Sequence, residues 1–84
     1  MNNDDTLVFD VDCINNKLIN DTLKDVCGNL NERGYNSINQ VVGYILSGDL
    51  GYISSYKDAR NKIANIDRCT LVETLLKNYL SWDV

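Results

Sequence analysis

The clearest helical pattern in the chain lies in residues 17–34, KLINDTLKDVCGNLNERG. Its apolar side chains recur with the three-to-four-residue spacing of an amphipathic helix. The members of this stripe are Leu18, Ile19, Leu23, Val26, Cys27 and Leu30. Asn15 or Asn16 can cap the start of the helix. Arg33 and Gly34 predict its end, because a cation and a glycine in the left-handed conformation both suit a helix C-terminus.

A second helix is predicted from Ser37 to Ser47, with Ser37 as its N-cap and Gly48 at its stop. Its apolar residues, Ile38, Val41, Val42, Ile45 and Leu46, repeat the same spacing and are expected to face the core. Gly43 inside this helix costs about 1 kcal/mol relative to alanine. A closely packed neighbour at Gly43 would explain the choice of glycine.

Two shorter helical patterns follow. A third helix is predicted over residues 57–66, with Ala59, Ile63 and Ile66 facing inward and an Asp58–Lys62 pair outside. The fourth helix is capped by Asp67 or by Thr70, since Thr70-Leu71-Val72-Glu73 has capping-box spacing. Its broad apolar face contains Leu71, Val72, Leu75, Leu76, Tyr79 and Leu80.

These patterns predict an all-α fold of about four helices in a single domain, residues 13–84. An acidic tail, residues 1–12, precedes it and contains a short β-prone run, Leu7-Val8-Phe9. The fourth helix is apolar over much of its circumference, so we expect a homodimer that buries part of it. The alternative is that tyrosines and the other helices cover this face within one chain.

The composition argues against an enzyme. The 84 residues include no histidine, and the three cysteines (Cys13, Cys27 and Cys69) form no C-x-x-C pair. Cys27 lies on an apolar helix stripe, which is typical of a core residue. Asp10 and Asp12 are two residues apart and can in principle share a cation, but a solvated acidic tail is the simpler interpretation. We therefore expect no catalytic residues, no metal and no cofactor.

The charge of the chain is concentrated at its N-terminus. The formal net charge is −4, and Asp4, Asp5, Asp10 and Asp12 supply four acids with no accompanying base. The remainder is neutral, which argues against nucleic-acid binding. The N-terminus lacks the basic and apolar pattern of a signal peptide, and no apolar run approaches the length of a membrane span. We expect a cytoplasmic protein that does not insert into membranes.

Two features are candidate sites. Lys57, Arg60 and Lys62 form the main possible anion patch, in which Lys57 and Arg60 are three residues apart and are predicted to share a helix face. An ordinary solvated surface is the simpler interpretation of these residues. Thr6 lies between Asp5 and the Leu7-Val8-Phe9 run, and phosphorylation there would add roughly −1.5 to −2 charges to the tail.

The run GYNSINQVVGYILSGDLGYISSYKDARNKI, residues 34–63, resembles the signature block of the IreB/ReoM family of small Firmicutes regulators. Upstream, residues 6–10 are similar to the T-x-x-F-D element of that family, and residues 67–80 resemble its closing helix. The chain departs from the family pattern at Ser37, Leu50 and Ser54, where the family usually has proline. These departures leave the conformation of residues 49–56 open.

The resemblance implies a homodimeric, non-enzymatic regulator that is phosphorylated on a tail threonine, the position of Thr6. It implies a PASTA-type Ser/Thr kinase and its cognate phosphatase as partners, and control of peptidoglycan synthesis and tolerance of wall-active antibiotics. In part of the family the unphosphorylated form promotes ClpCP-dependent degradation of MurA.

Three functional hypotheses remain open from the sequence. The first is a phosphorylation switch at Thr6, with Lys57, Arg60 and Lys62 as phosphate or partner contacts. The second is an adaptor or scaffold that binds its partner constitutively. The third is a nucleic-acid-binding helical domain, which predicts a steep salt dependence of duplex binding; the charge balance disfavours it.

Overall fold

The computed structural model describes residues 11–81, with side chains from Asn16 onward, and this part of the chain is all helical. Four α-helices are joined by short connections, and no strand is present in residues 11–81. They are α1 (Val11–Glu32), α2 (Ser37–Ser47), α3 (Ala59–Ala64) and α4 (Arg68–Leu80). Two single 3₁₀ turns, Leu50–Tyr52 and Tyr56–Asp58, lie between α2 and α3. The predicted all-α class is confirmed.

Helix α1 is longer than predicted at its start and ends where predicted. It begins at Val11, so Asn15 and Asn16 lie inside the helix and neither caps it. At its end, the Gly34 N–H donates to the carbonyl of Asn31 at 3.0 Å and the Tyr35 N–H donates to the carbonyl of Leu30 at 2.9 Å. Gly34 has a φ of +98°. This is the Schellman arrangement, in which a left-handed glycine terminates a helix.

Helix α2 has the predicted bounds but a different cap. The side-chain oxygen of Asn36 accepts a hydrogen bond from the Asn39 N–H at 3.0 Å, so Asn36 is the N-cap. Ser37, predicted to be the cap, is instead the first helical residue and is buried. Asparagine caps as well as serine does, and from position 36 its side chain accepts from the N–H of the third helical residue, Asn39. Gly48, with φ of +76°, stops the helix as predicted.

Gly43 in α2 has a closely packed neighbour, as predicted, and that neighbour is the ring of Tyr52. A Cβ built on Gly43 would lie 2.5 Å from Cδ1 of Tyr52, because the tyrosine ring packs directly on the glycine backbone. Tyr52 belongs to the first 3₁₀ turn, so this contact seats the connection after α2 against α2 itself.

The connection between α2 and α3 is held by its own side chains, although it lacks the family prolines. The Asp49 carboxylate accepts from the Gly51 N–H at 2.8 Å, and the Ser54 hydroxyl accepts from the Tyr56 N–H at 3.0 Å. Between these two turns Ile53 is completely buried. Residues 49–56 therefore have a defined path that is fixed at its centre by core packing.

Helix α3 is shorter than predicted. Lys57 (φ +49°) and Asp58 (φ +63°) are both left-handed, so the α-helix begins only at Ala59. The predicted inner residues Ala59 and Ile63 are buried, and Ile66 is partly buried against the core. The predicted Asp58–Lys62 pair is not formed, because i,i+4 geometry requires both residues to be helical. Asp58 accepts from the Asn61 side chain instead, at 2.8 Å.

Of the two candidate caps for α4, Asp67 is the one used. Its carboxylate accepts from both the backbone N–H and the hydroxyl of Thr70, at 3.0 and 3.1 Å. Thr70 is thus the third helical residue, and the capping-box interpretation of Thr70 with Glu73 is wrong. The hydrogen bonds from Thr70 lower the pKa of the Asp67 carboxyl.

The core lies where the other helices meet α1. Among the residues whose side chains are described, 16–81, nine hydrophobic ones are buried: Ile19, Val26, Leu30, Val41, Tyr44, Ile53, Ala59, Ile63 and Leu71. Within the same residues, two polar pairs join α1 to α4. The buried Thr74 hydroxyl donates to the Asn16 side chain at 3.1 Å, and the Asn78 amide donates to that of Asn20 at 2.5 Å. These pairs fix α4 against the first half of α1.

Much of the apolar surface of α2 and α4 faces outward. In α2 the stripe Ile38, Val42 and Leu46 is exposed, up to 81% for Leu46, because Val41 and Tyr44 form the side that packs on the core. The prediction that the whole apolar set of α2 faces the core is therefore wrong. In α4 the exposed apolar residues are Leu75, Leu76, Tyr79 and Leu80.

Candidate functional site

Lys57 lies beside the end of α1. Its Nζ is 3.3 Å from the Glu32 carboxylate, and this hydrogen-bonded ion pair raises the pKa of the Lys57 ammonium. The same ammonium lies over the ring of Tyr56, 5.6 Å from its centroid. Lys57 precedes α3 and has left-handed backbone, so the helix face that it was predicted to share with Arg60 does not exist.

Arg60 and Lys62 each have a partner as well. The Nε of Arg60 donates to the carbonyl oxygen of Ile53 at 2.9 Å, which ties α3 to the preceding connection. The Nζ of Lys62 is 2.7 Å from the Asp25 carboxylate on α1. The hydrogen bond and charge of Lys62 lower the pKa of the Asp25 carboxyl.

The three predicted anion contacts therefore do not form one compact cluster. Lys57 is anchored at Glu32 and Lys62 at Asp25, seven residues apart on α1. Seven residues correspond to about 10 Å along a helix axis. An incoming anion would also compete with a carboxylate at either lysine. Such exposed ion pairs are weak, so both lysines remain open to exchange of partner.

A cation–aromatic cluster that the sequence analysis missed surrounds Lys57. The guanidinium of Arg33 lies 5.7 Å from the centroid of the Tyr56 ring, so Arg33 and Lys57 both contact the same aromatic side chain. Arg33 follows α1 and Tyr56 precedes α3, and no helical periodicity links two residues in separate connections. Only the tertiary packing of α1 against α3 brings them together.

Arg68 serves the end of another helix. Its Nη1 donates to the carbonyl oxygen of Ile45 at 3.2 Å, and its guanidinium lies next to Gly48. Helix α2 has no basic residue in its own last turn. Arg68 thus supplies the cation that favours a helix C-terminus, from the first turn of α4.

An open groove of about 510 Å³ runs beside the first half of α1. Leu18, Ile19 and Thr22 form its α1 side, and Lys62 with residues 65–67 and Thr70 forms the other side. Leu18 is 60% exposed in this groove although it belongs to the predicted apolar stripe. A smaller cleft of about 280 Å³ lies on α4 between Glu73, Leu76, Lys77 and Leu80.

Some predicted features lie outside the described side chains. Thr6 and Asp10 fall in residues 1–10, and the side chains of Asp12 and Cys13 are also outside the described set. Among the described residues no group of three or more acids or cysteines is placed to hold a metal ion. None of the helices in residues 11–81 has both the length and the apolar character that crossing a bilayer requires.

Within residues 11–81 the structure defines a small all-α protein whose accessible features are charged clusters, apolar faces and an open groove. Comparison with family models identifies the family of this protein: the model described as IreB regulatory phosphoprotein matches residues 4–81. The chain therefore belongs to the IreB family of regulatory phosphoproteins. The resemblance that the signature block predicted is confirmed, and the matched range includes Thr6.

Proposed function

We propose that the chain is a non-enzymatic, cytoplasmic regulator that a PASTA-type Ser/Thr kinase phosphorylates at Thr6 and a cognate phosphatase resets. The observation that carries this proposal is the family match, which extends through the acidic tail to residue 4 and so includes Thr6. Downstream, we propose control of peptidoglycan synthesis and antibiotic tolerance, through ClpCP-dependent turnover of MurA.

The length of the tail determines which cation can bind a phosphate on Thr6 of the same chain. Thr6 is five residues before Val11, where α1 begins, and an extended chain of five residues spans at most about 18 Å. Asp25, the partner of Lys62, lies about 21 Å along α1 from Val11, and Glu32, the partner of Lys57, about 31 Å. The extended tail therefore comes close to the level of Lys62 along α1 and falls well short of Lys57.

Lys57 and Arg60 are therefore proposed as contacts for a partner protein or for a second copy. The Lys57 ammonium and the Arg33 guanidinium lie 5.6 and 5.7 Å from the centroid of the Tyr56 ring, an arrangement that presents two cations to an approaching anion. At both lysines a dianionic phosphate would have to replace a carboxylate, and charge-assisted hydrogen bonds of this kind are among the stronger ones.

We also propose that the protein is a homodimer. The support is the exposed apolar face of α4, where Tyr79 is 86% exposed and three leucines, Leu75, Leu76 and Leu80, lie beside it. Glu73 and Lys77 border this face one helical turn apart. In an antiparallel pair of α4 helices each Glu73 would meet the Lys77 of the second copy, which gives the reciprocal contacts of a two-fold interface.

Phosphorylation of the purified chain by the kinase domain tests the central claim. We expect intact-mass spectrometry to show one added phosphate, mapped to Thr6 and abolished in Thr6→Ala. Ser55→Ala, at an exposed serine in the described region, is the matched control and should be phosphorylated like the wild type. No phosphorylation in cells that overproduce the kinase, or modification elsewhere, would overturn the switch.

A constitutive adaptor is the second candidate, and the surface of α2 favours it. This helix contains no charged residue, and its exposed stripe Ile38, Val42 and Leu46 is suited to a partner helix. Under the adaptor hypothesis Thr6→Ala leaves cell-wall phenotypes unchanged, whereas Leu46→Glu abolishes them. Under the switch hypothesis Thr6→Ala locks one phenotype.

A further inference from the structure

The groove beside α1 has the composition of a peptide-binding site. Leu18, Ile19 and Ile66 supply aliphatic surface, while Thr22, Asn65 and Thr70 place polar side chains around it. Its volume of about 510 Å³ lies within the range of about 300–1,000 Å³ that is usual for ligand pockets. Leu18 is exposed in the absence of an occupant.

The chain's own N-terminal segment is the occupant within reach. Leu18 lies seven residues after Val11, or about 10 Å along the axis of α1. Leu7 lies four residues before Val11, and four extended residues span up to about 14 Å. A tail that turns back along α1 thus brings Leu7 to the level of Leu18, with Val8 and Phe9 beside the turns of α1 between Val11 and Leu18. The same run cannot reach Asp25, about 21 Å along the helix.

The charges of the groove favour a tail that runs back along α1 toward Lys62. Of the described residues that line the groove, Lys62 is the only cation, and its side chain is 37% exposed beside its contact with Asp25. The lining acid, Asp67, already accepts the hydrogen bonds that cap α4. Asp5 and Asp4 are six and seven residues before Val11, so about 20–25 Å of extended chain lets them reach Lys62. The tail carries no base that Lys62 would repel.

We infer that the groove receives Leu7-Val8-Phe9 of the same chain and thereby holds Thr6 near Lys62. Docking requires little intrinsic affinity, because a short tether gives an effective concentration in the millimolar range. The docked tail competes with binding by a kinase, which takes its substrate from the undocked fraction. Only this last consequence rests on the function proposed above; the docking itself does not depend on phosphorylation.

Nuclear Overhauser effects from Phe9 test the docking directly. Phe9 is the only phenylalanine in the chain, so phenylalanine-selective labelling of the full-length protein gives one aromatic probe. We expect contacts from its ring to the methyl groups of Leu18 and Ile66. An isotope-filtered experiment on mixed labelled and unlabelled protein must assign them to one chain. Contacts that are absent, that reach α2 or the exposed leucines of α4 instead, or that arise only between chains would overturn the inference.

Leu18→Glu supplies the functional arm, with Tyr35→Glu as the control because Tyr35 is also an exposed apolar residue and lies outside the groove. Leu18→Glu should abolish the contacts of Phe9 and make Thr6 phosphorylation roughly two- to fivefold faster, by raising the undocked fraction. Tyr35→Glu should change neither. If the Phe9 contacts are lost while the rate of Thr6 phosphorylation is unchanged, the docked tail does not compete with kinase binding. If no variant is phosphorylated at Thr6, the proposed function fails while the Phe9 contacts still decide the docking.

Discussion

The side-chain carbonyl of Gln40 accepts a hydrogen bond from the backbone N–H of Ser54 at 2.9 Å. Proline usually occupies the position of Ser54 in the family pattern, and proline has no N–H. Serine introduces a partly buried donor at this position, and the end of Gln40 on α2 satisfies it. The bond joins α2 to a connection fourteen residues later in the chain.

Gln40→Ala is therefore expected to destabilise the protein by about 1–3 kcal/mol, because it leaves the Ser54 donor without its partner. Ser54→Pro also removes the hydroxyl that accepts from the Tyr56 N–H, but Gln40→Ala should cost much less in the Ser54→Pro background, since the Ser54 donor itself is gone. Urea unfolding of the two single variants and the double variant measures the coupling. Gln40→Glu, which keeps an acceptor, is the control. Additive effects in the double variant would show that the bond is not responsible.

Ser37→Pro is expected to stabilise the protein by about 0.4–1 kcal/mol. Ser37 is the first residue of α2, where the fixed φ of proline suits the helix and its missing N–H matters least. The hydrogen bond that it would remove, from the Ser37 N–H to Asn31, is long at 3.4 Å. Asn36→Ala, one residue earlier, should instead cost about 0.5–2 kcal/mol because it deletes the true cap. Thermal unfolding separates the two; equal effects would contradict the assignment.

Gly43→Ala should lower the free energy of unfolding in the wild type and raise it in a Tyr52→Ala background. In the wild type the new methyl group collides with the ring of Tyr52, which must move away from α2. In a Tyr52→Ala background the space is free, and alanine should stabilise α2 by up to about 1 kcal/mol. Denaturant unfolding of the four proteins measures this interaction. A gain of the same size in both backgrounds would mean that the ring does not determine the choice of glycine.

The Asp67 cap predicts loss of stability at low pH. Its folded-state pKa is lowered by the hydrogen bonds from Thr70, so the ionised form stabilises the fold above the unfolded pKa of about 3.9. That contribution is lost as the pH falls through the folded-state pKa. Asp67→Asn keeps a capping oxygen without a titrating group and should flatten the slope of stability against pH below about pH 4. Asp67→Ala should lower stability at pH 7 as well.

Helix boundaries marked by glycine could be predicted from the sequence, and so could the bounds of α2. Gly34 and Gly48 are left-handed stops that follow clear apolar periods. Lys57 and Asp58 could not be predicted, because nothing in their residue types signals left-handed backbone. The buried residues on either side, Ile53 and Ala59, set this path between them. Local spacing therefore predicted that Lys57 shares a helix face with Arg60, but the left-handed backbone places Lys57 before the start of α3.

The core was only partly predictable for a related reason. Helix α2 is apolar over most of its surface, so periodicity identifies a helix without saying which side is buried. The packing against α1 selects Val41 and Tyr44 and leaves Leu46 exposed. The ion pairs of Lys57 and Lys62 join residues at least 25 positions apart, and no local pattern contains such information.

The two left-handed residues before α3 limit which sequences the fold accepts at this point. In a library that samples every amino acid at positions 57 and 58, glycine, asparagine and aspartate should be enriched after selection for folded protein. Valine, isoleucine and proline should disappear from both positions. Backbone geometry thus restricts which residues are accepted at positions 57 and 58, even though both side chains are exposed to solvent.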